Sequence, residues 1–232
     1  MISILAPTRK RVAEFVRMVE SIENTAILGN WEVLAYVDED DSQTFSSLAR
    51  RFSKSSRVFL SIGPRICMSD MWNELVPKAI GDLFMLGSDD IVFRTKAWDK
   101  IVEDAFAAVP DRLIYAHGDD LHPSRGKLFG THGIIHRHWY DAVGYFTAKG
   151  YSADYADLWL NDVSEMLERR RFLPFVTEHL HYVFGKAQCD VVHQEKNDRR
   201  DRDNTPRKYA HEIGLREADA EKLREVIASY ER

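Results

Sequence analysis

The sequence predicts an α/β fold with a mainly parallel central sheet flanked by helices. Three observations predict it. Short apolar runs of strand length alternate with stretches whose apolar residues recur at helical spacing. That alternation is the pattern of βαβ units, which build parallel sheets. Three strand-like runs also end in unusual polar loops: Pro7-Thr8-Arg9, Asp38 to Asp41, and Gly87 to Asp90. Ligands of parallel sheets bind at the carboxyl ends of the strands, so this topology would gather the three loops on one edge.

The elements follow in order. Residues 2–6 form a short apolar run that ends at Pro7, as a buried strand would. Thr8 is placed to cap the next segment, where Val12, Phe15, Val16, Val19 and Ile22 give one apolar helical face. Gly29-Asn30 signals a turn. Residues 31–37 read as a second strand, stopped by Asp38-Glu39-Asp40-Asp41. Phe45, Leu48, Ala49 and Phe52 suggest a helix, and residues 57–62 a third strand closed by Gly63-Pro64. Ser69 is placed to cap a helix carrying Met71, Trp72, Leu75 and Ala79. Residues 83–86 read as a fourth strand, and Trp98, Ile101, Val102, Ala105 and Phe106 mark another helix.

The second half is less regular. Residues 113–117 and 133–136 look like strands, 155–170 like a helix, and 175–184 like an edge strand. Residues 197–204 are dense in Arg and Asp without an apolar residue, and read as an exposed or mobile loop. Thr205-Pro206 suits a helix start, and Leu223, Val226, Ile227 and Tyr230 suggest an amphipathic terminal helix. The expected organisation is one domain over residues 1–205, with a helical extension over 206–232 packed on it.

Composition narrows the function. The chain has 232 residues, 44% of them hydrophobic, and a net charge of −5 from 32 Lys+Arg against 37 Asp+Glu. That balance argues against a surface built to coat nucleic acid or an anionic membrane. The two cysteines, Cys67 and Cys189, offer no disulfide framework or thiol-based zinc site and suit a reducing cytoplasm. The first residues read as a strand rather than a signal peptide. No apolar run approaches the length of a membrane span. A cytoplasmic protein with no membrane anchor is therefore expected.

Asp89-Asp90 directly follows an apolar strand. A carboxylate pair at a strand end suits a hard divalent cation, which can neutralise charge on a departing nucleoside diphosphate. Gly-Ser-Asp-Asp is equally good turn chemistry. With Pro7-Thr8-Arg9, Asp38 and Asn73, these residues resemble the GT-A glycosyltransferases of family 2 and its relatives. The segment Glu178-His179-Leu180-His181, Gly185-Lys186 and Asp190 resembles the close of small bacterial and phage members. The likeness spans roughly residues 1–193.

The resemblance implies a Rossmann-like nucleotide-diphospho-sugar transferase, an enzyme that takes a UDP-sugar donor with Mn²⁺ or Mg²⁺ and works with inversion. It implies that Pro7, Thr8 and Arg9 line the nucleotide pocket, with Asn73 and Ser88 on the donor side, and that Asp38 accepts a hydrogen bond from the base. Arg65 would reach the donor. Asp89 and Asp90 stand for the DXD motif, whose usual first Asp is here Gly87, so the ribose-side contact is either absent or supplied elsewhere. A late histidine, His179 or His181, would complete the metal shell. In the family the base that deprotonates the acceptor is usually an Asp at a later helix start. The stretch from Tyr151 to Trp159 matches that region loosely, with Asp157 the first choice and Asp154 the second. The bland alternative makes Asp154 a helix cap and Asp157 a first-turn acid.

Other clusters carry less. His132, His136 and His138 are irregularly spaced for zinc, and His117-Gly118-Asp119-Asp120 is either an acceptor-facing strand end or a turn. Nucleotidyl transfer is the second enzyme class, disfavoured because Pro7-Thr8-Arg9-Lys10-Arg11 has no glycine. A degenerate, non-catalytic nucleotide-sugar-binding module is the third reading. The acceptor stays open among a glycan, a small molecule and a modified DNA base, as does the oligomeric state.

Overall fold

The computed structural model describes residues 1–152 and 154–230. Ala153, inside the stretch read as the base region, and residues 231 and 232 of the expected extension lie outside the described residues.

The first half is a run of βα units: β1 (Ile2–Thr8), α1 (Val12–Thr25), β2 (Trp31–Asp38), α2 (Ser42–Arg51), β3 (Val58–Gly63), α3 (Met68–Leu75) and β4 (Leu83–Leu86). Then come β5 (Ile91–Phe93), α4 (Trp98–Ala107), β6 (Tyr115–Asp119), β7 (Ile134–His136), α5 (Arg137–Val143), α6 (Ala156–Met166) and β8 (Arg170–His179). The last described elements are the helices α7 (Val191–Arg202), α8 (Thr205–His211) and α9 (Ile213–Tyr230).

Among the described residues, eight strands form one sheet in the order β3-β2-β1-β4-β7-β6-β8-β5. The pairs β2–β3, β1–β2 and β1–β4 are parallel, and β6–β8 is parallel too. The pairs β4–β7, β6–β7 and β5–β8 are antiparallel. Helices cover both faces, so β1 and β2 are buried along their whole length. Successive residues of a strand point to opposite faces. Ile2, Ile4 and Ala6 therefore join Phe15, Val19, Leu48, Val102 and Phe106 on one side. Leu5 and Leu34 join Trp72, Trp139, Trp159 and Leu160 on the other. Helix α9 adds Ala220 and Leu223 to that second cluster, and its Asp219 accepts a 3.0 Å bond from Trp159 Nε1.

Several local expectations need correction. Thr8 caps nothing: it ends β1, Arg11 holds the N-cap position of α1, and no side chain bonds there. Ser69 lies inside α3, behind Cys67 at the N-cap, and its Oγ accepts from the Tyr151 amide at 2.8 Å. The helix read over 155–170 ends at Met166, because Glu168 takes a left-handed φ of 58°. Strand β8 consequently starts at Arg170, and it runs between β6 and β5 rather than along an edge. Residues 197–204 are not a loop up to Arg202. They belong to α7, whose start is fixed by a capping box between Asp190 and His193. The expectation failed because α7 buries almost no apolar surface, and polar contacts with neighbours hold it instead.

Candidate active site

Parallel pairing brings the three polar loops together. Thr8 lies opposite Val37, just before Asp38, and Leu5 lies opposite Leu86, just before Gly87. Above these ends opens a cleft with a cavity volume of about 360 Å³. Its walls include Pro7, Thr8, Arg9, Asp38, Arg65, Ser88, Asp89, Asp90, Asp154, Asp157, His179 and His181. Of the site residues read from the sequence, only Asn73 is missing from that lining. Its Oδ1 accepts from the Phe146 and Thr147 amides at 2.8 and 3.2 Å, and its Nδ2 donates to Thr147 O at 2.8 Å. Asn73 thus pins the 146–147 loop to α3.

The departure at Gly87 has a steric cause. A Cβ built there would lie 2.7 Å from Leu5 O and 2.8 Å from Ile4 Cγ2. Trp72 Nε1 donates to both Leu5 O and Gly87 O at 3.1 Å, locking the two backbones together. No aspartate fits at this position.

One end of the cleft is built around Asp38. Its Oδ2 accepts from Arg9 at 3.0 Å, while Oδ1 is buried with no partner. Burial raises its pKa above the ordinary carboxylate value, with Arg9 opposing. Arg9 also forks onto Asp40, and Arg65 donates to Glu195 at 2.6 Å.

The other end holds the acidic pair and a row of imidazoles. Asp89 is fully engaged: Thr8 donates to Oδ2 at 2.8 Å, and Arg11 to Oδ1 at 3.3 Å. Arg11 also donates to Asp190 at 2.7 and 2.8 Å and lies against the His193 ring. Asp90 accepts from Ser88 and stands 3.2 Å from His179 Nε2. Burial works against its ionisation, but the charge and hydrogen bond of His179 outweigh it and hold Asp90 well below the usual range. The rings of His132, His179, His181 and His193 follow one another with centroids 4.9, 5.0 and 5.2 Å apart. His179 and His181 meet here although the strand stops at His179 and His181 begins a 3-10 turn.

Asp90 and His179 are the two groups at this end that would hold a divalent cation. Ligand bonds of 2.0–2.2 Å put two donors on one ion about 3 Å apart, the separation seen between Asp90 Oδ2 and His179 Nε2. Among the described residues, no three of His, Cys, Asp and Glu form a ready ligand set. The remaining positions would fall to donor phosphates, as is usual for such cations.

The two base candidates differ. Asp154 pairs with Lys196 at 3.2 Å and Arg200 at 3.4 Å, both on α7, and does not cap α6. Asp157 sits in the first turn of α6, where its Oδ1 accepts from the Leu158 amide at 2.8 Å. Burial, with Asp154 adding to it, pushes its pKa up to about 6. Asp120 also lines the cleft, whereas Asp119 turns back to the Leu121 amide.

Sequence reasoning missed Arg11, His132, His193, Glu195 and Lys196, all of which line the cleft. Asp190-x-x-His193 carried a detectable capping signal. Arg11 carried none, since its partners are 78 and 179 residues away. His132 was grouped with His136 and His138, but those two meet edge to face at the opposite end of β4, where His136 pairs with Leu83.

No family model and no curated protein matches the sequence. Solved structures do match. S. aureus TarS 1-349 aligns with a TM-score of 0.56 at 13% identity, covering 76% of this chain and 60% of its own. The same TarS segment in complex with UDP-GlcNAc gives a TM-score of 0.57 at 13% identity, over 78% and 59%. The mannosyltransferase PcManGT from Pyrobaculum calidifontis, in complex with GDP-Man and Mn²⁺, gives 0.57 at 12% identity, over 78% and 57%. This chain therefore spans less than two thirds of the length of these neighbours. The likeness establishes a GT-A-like glycosyltransferase fold.

Proposed function

We propose that this chain is a metal-dependent glycosyltransferase. It moves a sugar from a nucleotide-diphosphate sugar, UDP-linked, to an acceptor hydroxyl with inversion. A fold hosts many chemistries, so the reading rests on the site. The observation that carries it is one cleft with Asp90 against His179 at one end and the unpartnered Asp38 oxygen at the other. Asp38 accepts an N–H of the base, and Pro7, Thr8 and Arg9 form the wall beside it. Arg65 is freed for the donor when Glu195 yields. Arg11 and Thr8 hold Asp89 in shape. Asp90 and His179, with His181 beside them, would hold Mn²⁺ or Mg²⁺, which when bound neutralises charge on the leaving diphosphate.

Asp157 is the base. Its raised pKa puts its proton affinity closer to neutrality, where general bases work best. One oxygen keeps the Leu158 amide and the other takes the acceptor proton as the bond to the anomeric carbon forms. Asp154, tied to two cations, is the weaker choice. The acceptor class is a glycan, a small molecule or a modified DNA base.

The test is product analysis with UDP-sugars, with and without acceptor, in Mn²⁺ or EDTA. UDP release that needs metal and rises with acceptor is the expected result. Pyrophosphate release would point to nucleotidyl transfer, and tight binding without turnover to a binding module; either outcome overturns the proposal.

A further inference from the structure

We propose that His132 is a ligand of the same cation as Asp90 and His179. The centre is then a two-histidine, one-carboxylate site that favours a transition ion such as Mn²⁺ over Mg²⁺. This rests on the metal-dependent reading above and extends it to a residue outside the acidic motif and the late histidine pair.

His132 lies just before β7 and is only 7% exposed. Its Nδ1 is 3.1 Å from Leu86 O. A carbonyl can only accept, so Nδ1 carries the hydrogen and Nε2 presents a lone pair. That Nε2 is buried and has no hydrogen-bond partner. Buried polar atoms are normally satisfied, and an exception calls for an explanation. A ring that donates one N–H to a backbone carbonyl and offers the other nitrogen is the usual arrangement of a metal-binding histidine. The carbonyl here belongs to the last residue of β4, the strand that leads to Asp90.

Spacing supports the same ion. A metal–nitrogen bond of about 2.0–2.1 Å places each ring centre about 3.2 Å from the ion. Two imidazoles at octahedral or tetrahedral angles then have centres about 4.5–5.2 Å apart. The His132 and His179 centroids are 4.9 Å apart, with planes at 84°. Among the described residues the three donors do not converge on one point, so a shared ion requires His132 and His179 to turn about their side-chain torsions. The alternative donor, His181, is less free: its Nδ1 accepts from the Val183 amide at 3.3 Å and starts the 3-10 turn. Imidazole nitrogens suit Mn²⁺ and its neighbours in the transition series better than Mg²⁺, which seeks oxygen.

The experiment is pulsed EPR of Mn²⁺ bound to the full chain, without nucleotide, which counts directly coordinated imidazoles. The wild type should show at least two. His132→Gln should lose one, bind Mn²⁺ at least tenfold more weakly, and bind Mg²⁺ as the wild type does. His181→Gln should retain the His132 contribution. One imidazole in the wild type overturns the proposal without any variant, whether or not His132→Gln folds. An unchanged count in a folded His132→Gln also overturns it while leaving Asp90 and His179 as ligands. Wild type that binds no Mn²⁺, with UDP affinity equal in EDTA, removes both this proposal and the metal-dependent reading.

Discussion

Asp90 Oδ2 lies 3.2 Å from His179 Nε2, although 89 residues separate them in the chain. The contact forms because β8 pairs with β5, placing His179 opposite Ile91, next to Asp90. It joins the acidic loop to the late histidine, and the first prediction depends on it. Asp90→Asn should abolish metal-dependent UDP binding. A neutral amide is a poor cation ligand, and even outer partners of metal sites are worth 10–100-fold in affinity. Calorimetry of UDP binding in Mn²⁺ and in EDTA checks this. Equal affinity in the two conditions for the wild type would show that no metal takes part.

Asp38→Ala should weaken UDP binding by roughly 1.5–3 kcal/mol, the range for a hydrogen bond to a charged group. Arg9 keeps Asp40 as a partner, so the fold should survive. A titration that finds unchanged affinity, or a complex in which the base avoids Asp38, would refute the assignment.

Asp157→Asn should lower the turnover rate by about 10²–10⁴-fold, the usual share of general-base catalysis. Donor affinity should stay near wild type, because this carboxylate faces the acceptor. In the wild type, turnover should rise with pH through about 6, where the carboxyl gives up its proton. Stability should move oppositely. The folded carboxyl binds its proton more tightly than in the unfolded chain, whose value is about 3.9. The stability this provides is present below that value and is lost as pH rises through about 6. Asp157→Asn should therefore raise the melting temperature at pH 7.5 relative to wild type, but not at pH 4. A first-turn acid that merely favours the helix dipole predicts a lower melting temperature and normal turnover.

Arg11→Met should destabilise the protein, because the buried Asp89 carboxyl, whose pKa burial already pushes up to about 7 against Arg11, loses its cation and is left with Thr8 as donor. It should also release Asp190 and loosen the start of α7. Denaturant titration measures the first effect, and limited proteolysis within 191–202 the second. Unchanged stability would mean that Asp89 does not depend on Arg11.

Asn73→Ala should cost about 1–3 kcal/mol, since two amides of the 146–147 loop lose their acceptor. UDP affinity in the folded fraction should not change. A clear loss of UDP affinity would return Asn73 to the donor site.

The first half of the fold could be read from sequence because its signals are local. Apolar runs such as 2–6 and 31–37 alternate with helical faces such as Phe15, Val19 and Ile22, and parallel pairing fixes which loops share an edge. Pro7-Thr8-Arg9, Asp38 and Asp89-Asp90 could therefore be placed together before any coordinates. The tertiary structure decided what these side chains touch. Arg11 reaches Asp89 and Asp190 across 78 and 179 residues, a pairing that no periodicity encodes. It put Asn73 under a loop and closed the Gly87 position against Leu5. It made 191–202 a helix held by charge rather than by an apolar face. It also set the ring of His132 beside that of His179, because β7 runs antiparallel to β6 and β8 parallel to it, which puts the start of β7 and the end of β8 on one edge of the sheet. Local pattern is set by backbone period and the burial of apolar surface. Long-range polar pairing depends on which elements happen to become neighbours, and a single sequence carries that only through the fold.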